Sequence, residues 1–181
     1  PHAKIMPIRV AGAGGFATSH DLAESIKWAQ TNGAKVISCS WGGPTPANQI
    51  ADAIDEVTAA GALVFIAAGN DGPEGNVGFP AQFESAIAVG ATTKEKKLAN
   101  FSSFLPGKLV DISAPGAEIY TTDMVGAEGY YDGGEGAVVD ENGDHPGDYM
   151  PSIDGTSFAC PMTAGVAALV WSTYPQLTNV Q

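Results

Sequence analysis

Seven apolar residues run without interruption from Ala62 to Ala68, directly after Gly61. Such a run suits a strand covered on both faces, as strands in a parallel sheet are. Its flanks agree. Thr45-Pro46 opens a helical stretch with Ile50, Ile54 and Val57 on one face, ended by Gly61. Further upstream, Ser19 is placed to cap a helix carrying Leu22, Ile26 and Ala29, stopped by Gly33, with a strand following from Lys35 to Ser40. Ala3 to Val10 alternates well enough for a strand, broken by Gly12 to Gly15. Ala86–Ala91 reads as another strand, with shorter ones at Leu109–Ser113 and Glu118–Thr121. Strand, helix and strand in alternation predict an α/β fold: a mainly parallel twisted sheet with right-handed crossovers and helices on both faces. Such sheets bind ligands beyond the carboxyl ends of their strands.

Between Gly126 and Met150 the pattern dissolves into glycine-rich, acidic sequence with no amphipathic period. It is longer than an ordinary connection, and we expect a surface insertion at about 126–150. Asp140, Asn142 and Asp144 alternate within it, with Asp132 and Asp148 nearby. Alternation lets one loop turn several oxygens inward, the ligand type calcium prefers, so a structural calcium ion is one candidate occupant. The segment is not a complete EF-hand loop, because no glycine follows Asp144 and no glutamate closes it. A solvated acidic loop is the competing reading.

Charge narrows the partners. The formal net charge is −12, and every lysine and arginine lies between Lys4 and Lys108. From Leu109 onward there are eleven acids and no base, a surface that repels phosphate and argues against nucleic-acid binding. No apolar run reaches membrane-spanning length, so no membrane partner is expected. Cys39 and Cys160 sit in apolar segments and are expected to be buried free thiols, without the Cys–His spacing of a metal site.

The chemistry concentrates in Ile153-Asp154-Gly155-Thr156-Ser157-Phe158-Ala159-Cys160-Pro161. Small turn residues deliver a serine to the start of an apolar, alanine-rich run ending near Tyr174, which reads as a buried helix. A hydroxyl there sits among unsatisfied N–H groups at the positive end of the helix dipole. It is placed to attack a carbonyl while nearby donors hold the resulting oxyanion. The plainer reading is that Thr156 or Ser157 caps the helix.

Four segments, in order along nearly the whole chain, point to a family. Gly155 to Gly165 resembles the nucleophile segment of subtilisin-like serine proteases. Ala67-Ala68-Gly69-Asn70-Asp71-Gly72 resembles their oxyanion-hole segment, and Ser38-Cys39-Ser40-Trp41-Gly42-Gly43 their substrate-binding strand. Phe101-Ser102-Ser103 followed by Ile112-Ser113-Ala114-Pro115-Gly116 matches the run that precedes the serine. The resemblance implies that Ser157 is the nucleophile and Asn70 the oxyanion donor of a serine endopeptidase acting on polypeptides. It further implies that Ser40, Trp41 and Gly42 grip an extended substrate by strand addition. Ala67, Ala68 and Gly69 are then a pocket wall and Gly78 the pocket base, leaving room for a large side chain. It implies secretion and an upstream propeptide, and no cofactor is required for the chemistry.

The family's Asp and His motifs are missing. Of His2, His20 and His145, none has the His-Gly-Thr-His setting. Pro1-His2-Ala3-Lys4-Ile5 is similar to the segment after the family's catalytic-histidine helix, and Thr178 to Gln181 to the approach to a further helix. We therefore expect the C-terminal two-thirds of a catalytic domain, incomplete at both ends and inactive alone. Phe158 stands where methionine is usual, Met162-Thr163 replace His-Val, and Cys160 replaces a small residue. Two other readings compete. A peptide-binding or scaffold relative would follow if the upstream motifs were substituted. Gly12-Ala13-Gly14-Gly15-Phe16-Ala17 fits a dinucleotide-binding turn, but Ser40-Trp41 stands where that fold needs an acid.

Overall fold

The computed structural model describes residues 3–12, 15–43, 46–104, 110–126, 129–131, 133–134 and 144–180. At its centre are four strands, β3 (Val36–Cys39), β4 (Leu63–Ala67), β5 (Ile87–Thr92) and β6 (Ile112–Pro115). They lie side by side in that order, and every pairing is parallel. Two helices, α1 (Ser19–Thr31) and α2 (Asn48–Ala59), pack together on one face. A third, α3 (Thr156–Thr173), lies against all four strands.

Period-2 alternation sorts the side chains between the faces. Ile37, Cys39, Val64, Ile66 and Ala88 join the buried stripes of α1 and α2 in one cluster. Phe65, Val89 and Ala91 join Ala159, Cys160 and Ala164 of α3 in the other. This is why the Ala62–Ala68 run contains no polar residue: both of its faces are core. Ile54 and Ile66 are fully buried, and each such side chain contributes about 1.5–3 kcal/mol.

The helix boundaries refine the sequence reading. Thr18, not Ser19, caps α1. Its Oγ1 accepts the Asp21 N–H at 3.2 Å and donates to the Asp21 carboxylate at 2.7 Å. Only Thr18 has a partner three residues on that completes the reciprocal cap. Gly33 (φ 93°) and Gly61 (φ 96°) end α1 and α2 in the left-handed conformation that glycine tolerates. α2 begins at Asn48, two residues after Pro46.

Ala3–Val10 forms no strand. Ile8 and Val10 pack toward the α1 cluster, while Ile5 is 92% exposed. Alternation marks which residues face a core, but a ladder needs a neighbouring strand, and none pairs here among the described residues. The glycine turn that follows is a short antiparallel pair, β1 (Ala11–Gly12) with β2 (Gly15–Phe16). That hairpin differs from the strand–turn–helix passage a dinucleotide site requires.

The 126–150 segment is less formless at its end than its sequence reads. A 3₁₀ turn at Pro146–Asp148 leads into β8 (Tyr149–Ile153), which pairs antiparallel with β7 (Ile119–Thr122). This two-stranded arm feeds directly into Ser157.

Candidate active site

The carboxyl ends of β3 and β4 and the amino end of α3 meet at one place. Ser40 follows β3, Gly69 and Asn70 follow β4, and Ser157 is the second residue of α3.

Gly155 occupies the cap position of α3 and supplies no side-chain cap, so neither Thr156 nor Ser157 is the cap. The missing acceptor comes from 86 residues away in the chain. Asn70 Oδ1 accepts the Thr156 N–H at 2.9 Å and the Thr156 hydroxyl at 3.0 Å. Facing a backbone N–H, that atom must be the amide oxygen, which fixes the orientation of the carboxamide. The NH₂ of Asn70, an exposed residue, is left to donate elsewhere, and it lies 3.7 Å from where a Cβ on Gly155 would stand. The Ser157 N–H belongs to the first helical turn, whose N–H groups have no acceptor within the helix. Two donors thus flank the nucleophile turn.

Thr156 is the keystone, and the sequence alone offers it only as a possible cap. It is fully buried, and its hydroxyl also accepts the Gly69 N–H at 3.2 Å. Ser103, also fully buried, supports the other side of this loop. Its N–H donates to Gly69 O at 3.0 Å, and its Oγ accepts the Asp71 N–H at 3.1 Å. Replacing Thr156 by valine keeps shape but removes both hydroxyl bonds, leaving the Gly69 N–H short of its acceptor. We expect a loss of about 1–3 kcal/mol, read by denaturant unfolding, with Thr156→Ser retaining most of the stability.

The nucleophile turn is anchored from β6 as well. The Gly155 N–H donates to Gly116 O at 2.8 Å, and the Glu118 N–H to Asp154 Oδ1 at 2.7 Å. Gly116 cannot carry a side chain here, since a Cβ would stand 2.7 Å from Ala91 Cβ and 2.8 Å from Gly155 O.

Ser157 is half-buried, and its Oγ donates to Ser40 O over a long 3.4 Å. Among the described residues no hydrogen bond joins it to a histidine. His20 is in the first turn of α1, and His145 Nδ1 accepts the Gly147 N–H at 2.8 Å. His2 lies outside the described residues.

The expected substrate strand and pocket residues fall around one cleft. Ser40 and Gly42 are exposed, and Trp41 is half-buried against the core. Gly43 and Phe79 form an antiparallel bridge, with N–H···O distances of 2.9 and 3.2 Å. Gly42 must lack a side chain, because a Cβ would meet Phe79 O at 2.6 Å. The Gly78 N–H donates to Ala68 O at 2.9 Å, yet a Cβ at Gly78 would find only Ala68 O at 3.7 Å and Gly43 O at 4.0 Å. A Cβ at Gly78 would thus make ordinary van der Waals contact with both segments, and its absence leaves that small volume unfilled between them. Ala67 is half-buried, whereas Ala68 is fully buried in the α1/α2 cluster and borders the cleft through its carbonyl only.

The two cysteines are free and buried, with side chains in the two different clusters, on opposite faces of β3. The sheet backbone separates them, so they cannot bridge. Burial pushes the Cys39 thiol up to about 12, which keeps it protonated and unreactive.

Among the described residues no group of three or more His, Cys, Asp or Glu is arranged to hold a metal. Asp140, Asn142 and Asp132 lie outside them. Asp144 is exposed. The two oxygens of Asp148 accept the Gly126 N–H at 2.6 Å and the His145 N–H at 2.9 Å. Those bonds hold its carboxyl below the usual carboxylate range. Asp123 is likewise lowered, by the N–H groups of Met124 and Tyr131.

Comparison with known proteins bears on this geometry. A family model described as Peptidase S8, subtilase family, matches residues 1–181. Subtilisin DY of Bacillus licheniformis is 35% identical over 184 residues, covering all of this chain and 58% of its own length. M-protease of Shouchella clausii is 35% identical over 181 residues, again across the whole chain and 41% of its own length. Among solved structures, the S41 psychrophilic protease superposes with a TM-score of 0.72 at 31% identity, over 94% of this chain and 55% of that one. Sphericase gives the same TM-score at 27% identity, over 95% and 55%. The chain thus spans about half the length of the relatives it matches.

Proposed function

The chain belongs to the subtilase family of serine peptidases, and from that premise we propose that it carries the nucleophile and oxyanion hole of a secreted serine endopeptidase. The observation that carries this reading is the Asn70 carboxamide, pinned through its oxygen by Thr156 so that its NH₂ is free beside the Ser157 turn.

In the proposed mechanism a substrate chain lies along Ser40-Trp41-Gly42, pairing by backbone hydrogen bonds. Ser157 Oγ attacks the scissile carbonyl carbon and gives its proton to a histidine oriented by an aspartate. Neither that histidine nor that aspartate is assigned to a residue of this chain. As the carbonyl oxygen becomes an oxyanion, the Asn70 NH₂ and the Ser157 N–H donate to it. The histidine then protonates the leaving amine. Water repeats the sequence on the acyl-enzyme and restores Ser157.

Specificity follows from Gly78. With no side chain at that position and Gly42 and Gly43 alongside, the residue before the cut is expected to be large and apolar, with basic residues tolerated near Asp71. Cleavage of a peptide library by the complete protein checks this. A preference for glycine or alanine there contradicts an open pocket.

We extend the proposal to one structural calcium ion on the 126–150 segment, held by Asp140, Asn142 and Asp144. Asp148 is held in place beside this segment by the N–H groups of Gly126 and His145, one to each oxygen. Calcium bound only by the folded state raises the melting temperature with its concentration. Asp140→Ala with Asp144→Ala should remove that increment. An unchanged calcium response leaves the segment a charged surface loop. An N-terminal propeptide and export from the cell complete the reading. Among the described residues no helix is long and apolar enough to cross a membrane.

A further inference from the structure

Pro161 lies inside α3, four residues after Ser157. In an α-helix the N–H of residue i+4 donates to the carbonyl of residue i. Proline has no N–H, and its ring also crowds that carbonyl. Pro161 therefore strips the Ser157 carbonyl of its helical donor and presses it outward, at the first turn, where the nucleophile must be held.

The missing donor is supplied from the sheet. Ser40 Oγ donates to Ser157 O at 2.7 Å, the better of the two bonds between these residues; the return bond from Ser157 Oγ to Ser40 O is 3.4 Å. Next to it, Ser38 Oγ and Cys160 Sγ are 3.5 Å apart, and Cys160 Sγ approaches Cys39 O at 3.8 Å. Three consecutive residues at and just beyond the end of β3 thus hold the amino-terminal five residues of α3, and the shortest of these contacts replaces the bond that Pro161 removes.

We propose that Ser40 is a positioning residue: its hydroxyl stands in for the Pro161 N–H and fixes the nucleophile turn to the strand on which substrate docks. The role rests on reading Ser157 as the nucleophile. It differs from the substrate contact expected of Ser40, which runs through the backbone and survives loss of the hydroxyl. The chemical consequence is alignment. Ser157 Oγ and its N–H must both meet one carbonyl, and small misplacements are expensive in rate. A first turn with an unsatisfied carbonyl would tilt that carbonyl toward water and carry the nucleophile with it.

The test is a four-protein cycle in the complete protein: wild type, Ser40→Ala, Pro161→Ala and both together. Ser40→Ala should lower kcat roughly 10-fold with KM changed less than about twofold. Pro161→Ala restores a backbone N–H opposite Ser157 O, so Ser40→Ala in that background should lose less than about threefold. Ser40→Thr, which keeps the hydroxyl, should stay within about threefold of wild type. The same four proteins unfolded in denaturant should show the same coupling, a readout that needs no turnover. Additive effects in both measurements, or a defect confined to KM, would overturn the positioning role alone. Coupled stabilities in a wild type that hydrolyses nothing would instead contradict the nucleophile reading, and the positioning role with it.

Discussion

Ser157→Ala in the complete protein is expected to lower kcat by about 10⁶-fold, the size of the loss when subtilisin itself is stripped of its nucleophile. Alanine preserves the helical start: Thr156 keeps both bonds to Asn70, and Gly155 keeps its bond to Gly116 O. What disappears is the oxygen that forms the acyl-enzyme. The residual rate should then be that of an oxyanion hole and binding cleft without a nucleophile, about 10³–10⁴-fold over water. Because Ser40 donates to the Ser157 backbone carbonyl, which alanine retains, stability should hardly change. A melting point close to wild type is thus part of the expectation. A collapse in stability would mean that the hydroxyl has a structural role.

Asn70→Ala is expected to lower kcat about 10²–10³-fold with little change in KM, the loss that follows removal of the corresponding oxyanion donor in subtilisin. The split between kcat and KM follows from geometry that is visible. The carboxamide oxygen is occupied by Thr156, so ground-state binding of substrate gains nothing from it. Only the NH₂ is available, and its bond strengthens as the substrate oxygen acquires charge. Alanine also orphans the Thr156 N–H and frees its hydroxyl. Asn70→Ala should therefore cost stability as well, which Ser157→Ala should not. Asn70→Asp separates the two effects: it keeps an acceptor for Thr156 but has no donor, so stability should recover while kcat stays low. A KM-dominated defect in Asn70→Ala would count against the oxyanion role.

Much of this architecture is legible in the residues. The uninterrupted Ala62–Ala68 run marks a strand with core on both faces, and Phe65 and Ile66 do lie in different clusters. The α1 and α2 stripes hold because Leu22, Ile26, Ile50, Ile54 and Val57 recur at helical spacing and all are buried. Ser40, Asn70 and Ser157 are expected beyond strand ends or at a helix start, and the parallel topology places them there. The support of the site is not legible. Thr156 and Ser103 look like ordinary small polar residues, and their bonds to Asn70, Gly69 and Asp71 span 32 to 87 residues. No local period encodes such contacts. β8 is hidden because proline and serine interrupt its alternation and its partner β7 is remote in sequence. Asp148 resembles a free ligand in the sequence, because nothing in His-Pro-Gly-Asp announces that His145 and Asp148 cap the 3₁₀ turn reciprocally. The expected strand at Ala3–Val10 fails for the opposite reason: its pattern is local, while a ladder needs a partner.

The central claim is that Ser157 is a nucleophile activated in place by its surroundings. A serine-directed fluorophosphonate, reacted with the complete protein and located by peptide mass spectrometry, tests it most directly. The account predicts a single phosphonylated residue, Ser157, with labelling slowed in Asn70→Ala and abolished in Ser157→Ala. Peptide hydrolysis by a protein that takes no label at Ser157, or label and activity that persist in Ser157→Ala, would contradict it.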